Sequence, residues 1–333
     1  MEQSAGGRST ALYCGLVACG LALTGLVMGT HDRPEGRSAE GGSFAHVVRE
    51  RPPLEECQQE TGARVGDPGA GPRGDGEVSP EQAAEYERRL REALEPMRGQ
   101  EVAPPSTVPV AVHVIAAENG EGDVGRESVE QQLEVLNDAY AGRYAADSEG
   151  VDTGFRFELS DLTQHRDDEW FHDFDLHRDT IRADLRRGGP ETLNIYITDL
   201  GDGLLGYSTF PQDSESSLEQ DGIVLAHDTL PGGDREGFDR GHTGTHEVGH
   251  WLGLFHTFQN GCQEPGDYVD DTPYEREAAS GCPVGRDTCP ERSGKDPVTN
   301  FMNYSDDACM THFTQGQAER MVEHWVSFRA PKT

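Results

Sequence analysis

The sequence predicts an α+β fold, a mixed twisted sheet with backing helices, with an α/β sandwich as the neighbouring architecture. Three observations predict it. Residues 108–115 (Val-Pro-Val-Ala-Val-His-Val-Ile) form a dense β-branched run, the composition of a buried strand. Residues 127–140 carry Val129, Leu133, Leu136 and Tyr140 at helical spacing. Three more strand-like runs and a final helix follow, and strands interspersed with helices settle into layers of sheet and helix.

Taken in order, the chain of 333 residues opens on an apolar stretch over 10–29 behind a short start carrying Arg8. This is the pattern of an export signal. The stretch approaches the ~20 residues that span a bilayer, so an uncleaved N-terminal anchor is the alternative. Leu16-Val17-Ala18-Cys19 also loosely resembles a lipoprotein processing box. On each reading, residues 1–30 place the remainder outside the cytoplasm, secreted or held at the cell surface.

Residues 31–100 are rich in Gly, Pro, Arg and Glu, and 64–76 is nearly all turn and charge. One helix stands out there. Ser79 suits the cap, Pro80 the first helical position, and Gln82 completes a capping box. Ala83, Tyr86, Leu90, Ala93, Leu94 and Met97 supply a modest apolar face. The segment reads as a pro-segment or flexible spacer, with the main domain over 101–333. Beyond the first strand and helix, 155–159 alternates as a second strand. Residues 193–197 form a third, 222–227 a fourth, and the last helix begins near Thr243.

Charge excludes one class of partner. The formal net charge is −33 and only Lys295 and Lys332 are lysines, whereas nucleic-acid binding needs a basic face. The mean hydropathy of −0.68 is low for a chain folded along its whole length. Of seven cysteines, Cys14 and Cys19 fall in the leader, Cys57 stands alone, and Cys262, Cys282, Cys289 and Cys309 cluster late. Four clustered cysteines in an exported chain predict two disulfides, with three pairings open. No Cys-x-x-Cys pair is present to make a zinc ribbon.

The chemistry lies in His246-Glu247-Val248-Gly249-His250-Trp251-Leu252-Gly253-Leu254-Phe255-His256. Four residues apart on a helix, His246 and His250 project from one face and can hold a single ion. Glu247 sits beside that ion, placed to act as general base on a water. Gly253 falls where the helix must stop, because glycine enters left-handed backbone angles without penalty. The chain can then turn back and present His256. Three neutral histidines and one water make an open zinc site of the catalytic sort. A surface helix bearing histidines by chance would have to supply all four residues at these offsets. Downstream, Asn300-Phe301-Met302-Asn303-Tyr304 offers Met302 as the floor of a tight Met-turn, the second element of metzincin proteases. Tyr304 can donate to a developing oxyanion, or simply brace the turn.

Four stretches together resemble the pappalysin branch of the metzincins: residues 108–115, the histidine motif, Gly266-Asp267-Tyr268-Val269-Asp270-Asp271-Thr272-Pro273, and 300–304 running on to Cys309 and Phe313-Thr314-Gln315-Gly316-Gln317. The resemblance spans about 107–326. It implies a metzincin-like fold with an upper subdomain, a zinc helix and a lower irregular subdomain holding the Met-turn. It implies His246, His250 and His256 as zinc ligands, Glu247 as general base, and the pairs Cys262–Cys289 and Cys282–Cys309. It also implies Ca²⁺ at Asp267, Asp270, Asp271 and Thr272, where a solvated acidic loop is the plain alternative.

Some members of that family prefer a basic residue after the cleaved bond, read by an acid near the cysteine beyond the Met-turn; here Asp306 and Asp307 precede Ala308 and Cys309. The expected activity is therefore zinc-dependent hydrolysis of internal peptide bonds in protein or peptide substrates, by a monomer. An extended substrate is expected to pair with the strand at 222–227. Cys57, as a pro-segment thiolate, is a candidate latency switch on the zinc, although its surroundings do not match the best-known switch motif. An inactive binding module of the same fold and a surface-anchored processing protease are the competing functions.

Overall fold

In the computed structural model the described residues are 64–65, 78–145, 150–201 and 203–331. The leader assigned to 1–30 and the candidate switch Cys57 lie outside them. The strands are β1 (Arg64–Val65), β2 (Val108–Ala116), β3 (Phe157–Arg166), β4 (Leu193–Thr198), β5 (Leu204–Ser208) and β6 (Ile223–Ala226). The helices are α1 (Pro80–Leu94), α2 (Arg126–Tyr140), α3 (Asp168–His172), α4 (Phe174–Leu185), α5 (His242–Trp251) and α6 (Gln315–His324). Among the described residues no helix is long and apolar enough to cross a membrane.

Across the six-stranded sheet the order is β1-β5-β6-β4-β2-β3. β3, β2, β4 and β6 run parallel, while β5 is antiparallel to β6 and β1 antiparallel to β5. Both faces of this sheet are covered. Val110, Val112 and Val114 meet α2, α5 and α6 through Val129, Leu136, Trp251 and Met321. Ile115, Tyr196 and Val224 meet α3 and α4 through Phe171, Phe174 and Ile181 on the other side. A strand buried on both faces has no polar alternation, which is why 108–115 reads as a continuous apolar run.

Two sequence expectations need correction. The strand placed at 155–159 is Phe157–Arg166. Its last seven residues (Ser160 to Arg166) lie at the sheet border with exposed and half-buried side chains, so hydrophobicity could not mark them. The strand at 222–227 exists as β6 but is interior, flanked by β4 and β5, so it has no edge to offer a substrate. α3, α4, β5 and α6 were not anticipated as elements. β5 is five residues with a central glycine, and α4 is charged on its outer face.

α1 forms where expected, with Ser79 Oγ accepting from Gln82 N at 3.2 Å. The reciprocal half of the capping box gives way to Gln82 Nε2 donating to Tyr86 Oη at 3.1 Å. The helix is no loose spacer. Ala83 and Tyr86 pack with Phe210 and Phe255, Gln259 Nε2 donates to Val78 O at 2.9 Å, and Arg320 pairs with Glu87 at 2.9 Å.

Between α5 and α6 the chain runs through turns and loops closed by Cys262–Cys289 and Cys282–Cys309, each with Cα atoms 5.5 Å apart. These are the pairs the family resemblance implied. Closing loops of this length stabilises the fold by about 3–4 kcal/mol each on the chain-entropy view.

Candidate metal centre

Gly241, whose φ of 82° is left-handed, caps the start of α5, and no side chain of the cap residue satisfies the first turn. The carboxylate of Asp307 takes that role from across the fold: Oδ2 accepts from Arg240 N at 2.9 Å and His242 N at 3.3 Å. A carboxylate at a helix N-terminus also complements the helix dipole. The far end is set by Gly253, with φ of 94°. A Cβ there would lie 2.3 Å from the His324 ring, so the turn is closed to any other residue on two counts. Arg320 Nε fixes the same turn by donating to Gly253 O at 3.1 Å.

The reversal brings the three histidines together. Their Nε2 atoms stand 3.1 Å (His246–His250), 3.1 Å (His250–His256) and 3.2 Å (His246–His256) apart. An ion bonded tetrahedrally at 2.0–2.1 Å needs nitrogens about 3.3 Å apart, so the triangle fits zinc. The protonation pattern fits as well. Phe301 O lies 2.7 Å from His246 Nδ1, and Leu254 O 2.7 Å from His250 Nδ1. Carbonyls only accept, so both Nδ1 atoms carry the proton and both Nε2 atoms present lone pairs to the centre. Burial pushes His250 down to about 4, and burial together with His250 pushes His256 well below its ordinary value. All three rings are buried, and among the described residues they are the one group of three or more His, Cys, Asp or Glu side chains that converges.

Glu247 is fully buried on the same helix, under β5. A Cβ on Gly206 would stand 3.1 Å from Glu247 Cγ, so the absent side chain lets β5 cross directly over the carboxylate. Sequence reasoning missed Gly206, although an isolated glycine in a strand is the available signal for such an approach. Met302 is buried beneath the helix; a Cβ on Gly249 would lie 2.4 Å from its Sδ. The tight turn is held by Asn300 Oδ1 accepting from Met302 N at 2.9 Å, and Thr257 N donates to Met302 O at 3.2 Å. Tyr304 is half-buried, its ring centre 5.8 Å from His246 and 4.8 Å from His256.

The acidic loop is less convergent. Asp267 is buried, and burial pushes its carboxyl up to about 8. Thr272 is buried too, whereas Asp270 is exposed. Asp271 is engaged elsewhere, accepting from Thr314 Oγ1 at 2.7 Å and Gly316 N at 2.8 Å at the start of α6. Of the two acids before Cys309, Asp307 is committed to α5 and Asp306 is half-buried.

A family profile described as pregnancy-associated plasma protein-A matches residues 182–325. The extracellular metalloprotease 1 of Coccidioides posadasii is 39% identical over 271 residues, covering 80% of this chain and 93% of that protein. An extracellular metalloprotease of Colletotrichum graminicola is 44% identical over 232 residues, covering 68% of this chain and 79% of the relative. Among solved structures, a promirolysin mutant from Tannerella forsythia superposes with a TM-score of 0.62 at 24% identity, covering 74% of this chain and 89% of that one. Mature mirolysin in complex with a cleaved peptide gives 0.58 at 27% identity, covering 69% and 100%.

Proposed function

This chain belongs to the pappalysin family of metzincin metalloproteases, and on that premise we propose that it is a secreted zinc endopeptidase in which Glu247 is the general base. The observation that carries the reading is the closed triangle of three Nε2 lone pairs with Glu247 buried beside it. When bound, zinc lowers the pKa of a water at the site to about 7 and polarises the scissile carbonyl. Glu247 accepts that water's proton during attack and delivers it to the departing amine. Tyr304, beside His256, donates to the developing oxyanion. Site of action outside the cell accords with the names of the relatives.

β5, rather than β6, is the strand along which an extended substrate would lie. Its outer edge takes an antiparallel partner, as β1 does with Arg64 opposite Gly206 and Val65 opposite Leu204. Cys57 precedes β1 by seven residues, a span of up to about 24 Å when extended, which supports a thiolate reaching the zinc in the unprocessed chain. Serine at position 57 should then give a full-length protein more active than unprocessed wild type, with β1 still on the β5 edge until it is removed. A preference for a basic residue after the cleaved bond falls to Asp306, since Asp307 is held by α5. Calcium, the second ion, would use Asp267 and Thr272, both buried and interacting with each other in the loop. A cation there would remove the cost of burying the Asp267 charge.

The deciding experiment is casein cleavage with and without chelator, in wild type and Glu247→Ala. The variant should retain one zinc and lose turnover. Retained proteolysis in Glu247→Ala, or chelator-resistant cleavage by wild type, overturns the assignment.

A further inference from the structure

Glu275 lies two residues beyond the Asp-Thr-Pro loop and is fully buried. One of its oxygens, Oε2, accepts from Thr257 Oγ1 at 2.7 Å and from Asn303 Nδ2 at 2.8 Å. Thr257 directly follows His256, and Asn303 stands between Met302 and Tyr304. A single atom therefore ties the loop carrying the third histidine to the turn carrying the methionine floor and the tyrosine. The other oxygen, Oε1, accepts from Arg286 Nη2, whose Nε in turn donates to Asp296 Oδ2 at 2.6 Å. Arg286 is further held by the carbonyls of Ala278 at 2.9 Å and Glu277 at 2.6 Å.

The rest of Asn303 is equally committed. Its Oδ1 accepts from Ala279 N at 2.9 Å and from Tyr304 N at 2.8 Å. A buried carboxylate is costly unless it is paired and bonded, and here each of its oxygens has a charged or neutral donor. Nothing in forming a hydrophobic core calls for this arrangement. Apolar groups of similar shape would fill the space at no electrostatic cost, as they often do in place of buried ion pairs. What the carboxylate adds is direction, since it accepts from both loops at one point in a site of low dielectric.

Resting on the zinc reading of the site, we propose that Glu275 is a positioning residue: through Thr257 and Asn303 it holds His256 and the Met302–Tyr304 turn in one fixed geometry around the metal. Groups beyond the direct ligands that orient them typically change metal affinity by about 10–100-fold. Glutamine at 275 keeps the shape but turns an N–H toward either Arg286 or the Thr257–Asn303 pair. Valine at 257 removes only the hydroxyl, and serine restores it.

The test measures zinc affinity by chelator competition and the visible absorption of the Co²⁺-substituted protein, with Tm followed throughout. Glu275→Gln and Thr257→Val should each release zinc about tenfold or more readily and shift the cobalt bands, while Thr257→Ser stays near wild type. Thr198→Val supplies the control. It deletes a buried hydroxyl that donates to Phe171 O at 3.3 Å against α3, and should leave zinc affinity and spectrum unchanged. Wild-type affinity and spectrum in Thr257→Val would overturn the proposal, even where Glu275→Gln fails to fold. Equal zinc loss in Thr198→Val would overturn it too, by reducing the effect to general destabilisation. Failure of wild type to bind zinc would instead remove the underlying assignment.

Discussion

Gly253 shows how much one residue can constrain. A side chain there would have to tolerate φ of 94° and displace His324 from 2.3 Å. Left-handed backbone alone costs a non-glycine residue about 1–2 kcal/mol, before the clash with a buried ring is counted. Gly253→Ala should therefore lower Tm and lose zinc, because His256 follows within one turn; metal content and thermal unfolding check it together. The backbone demand was legible in the sequence, since a third histidine at that spacing requires a reversal. The His324 contact was not, because it joins residues 71 positions apart.

A second residue contributes to the acid limb of stability. His113 is buried in β2, with Thr163 Oγ1 at 2.9 Å and Asn194 Oδ1 at 3.0 Å. Burial pushes it down to about 4 from 6.5. Between those values the unfolded chain binds a proton that the folded chain refuses, so this histidine's contribution to stability is complete above pH 6.5 and falls as pH drops toward 4. The loss is up to about 3 kcal/mol at 1.36 kcal/mol per unit. In zinc-saturated protein, the difference in urea-unfolding free energy between wild type and His113→Gln should shrink steadily across that range on acidification. A pH-independent difference would exclude His113 from the acid limb.

At the scale of elements, β5 is the strand that crosses the zinc helix, its Gly206 lying against Glu247. The apolar pattern identified β2, β4, β6, α2 and α5 because each buries a regular face. It passed over β5, whose five residues include the glycine that the site itself requires. It also passed over the last seven residues of β3, where border exposure removes the hydrophobic signal. Misreading β6 as the edge followed directly, since without β5 the sheet would end there. The crossing at Gly206 makes a measurable claim. A methyl at that position would stand 2.9 Å from Val224 O and 3.1 Å from Glu247 Cγ, so either β5 or the carboxylate must move. Gly206→Ala should keep its zinc and lose at least about tenfold in kcat, as small displacements of a catalytic group do. Steady-state kinetics with metal analysis separates that outcome from loss of the ion.

For the whole molecule, the main question is where the stable domain begins. Composition placed its start near residue 101 because 31–100 is polar and rich in turns, and α1 has only a modest apolar face. Packing, however, places α1 against the body of the fold. Tyr86 stacks on Phe210 with ring centres 5.3 Å apart, and Phe210 in turn lies 5.5 Å from His250 and 5.4 Å from Phe255. Tyr86 Oη donates to Asp213 at 2.9 Å, Gln212 Nε2 donates to Tyr86 O at 3.2 Å, and Arg320 links Glu87 to the Gly253 carbonyl. Burying side chains such as Tyr86 and Leu90 contributes about 1.5–3 kcal/mol each. α1 thus supports the zinc turn from behind, and an active mature enzyme should retain it. A chain beginning at Val78 should unfold close to the full-length Cys57→Ser protein and hold zinc as tightly. One beginning at residue 100 should lose several kcal/mol and release zinc more readily, with Tyr86→Ala in the longer chain reproducing part of that loss. Terminal sequencing of the active protein provides the independent check, and a mature N-terminus beyond residue 94 would show that the enzyme works without α1.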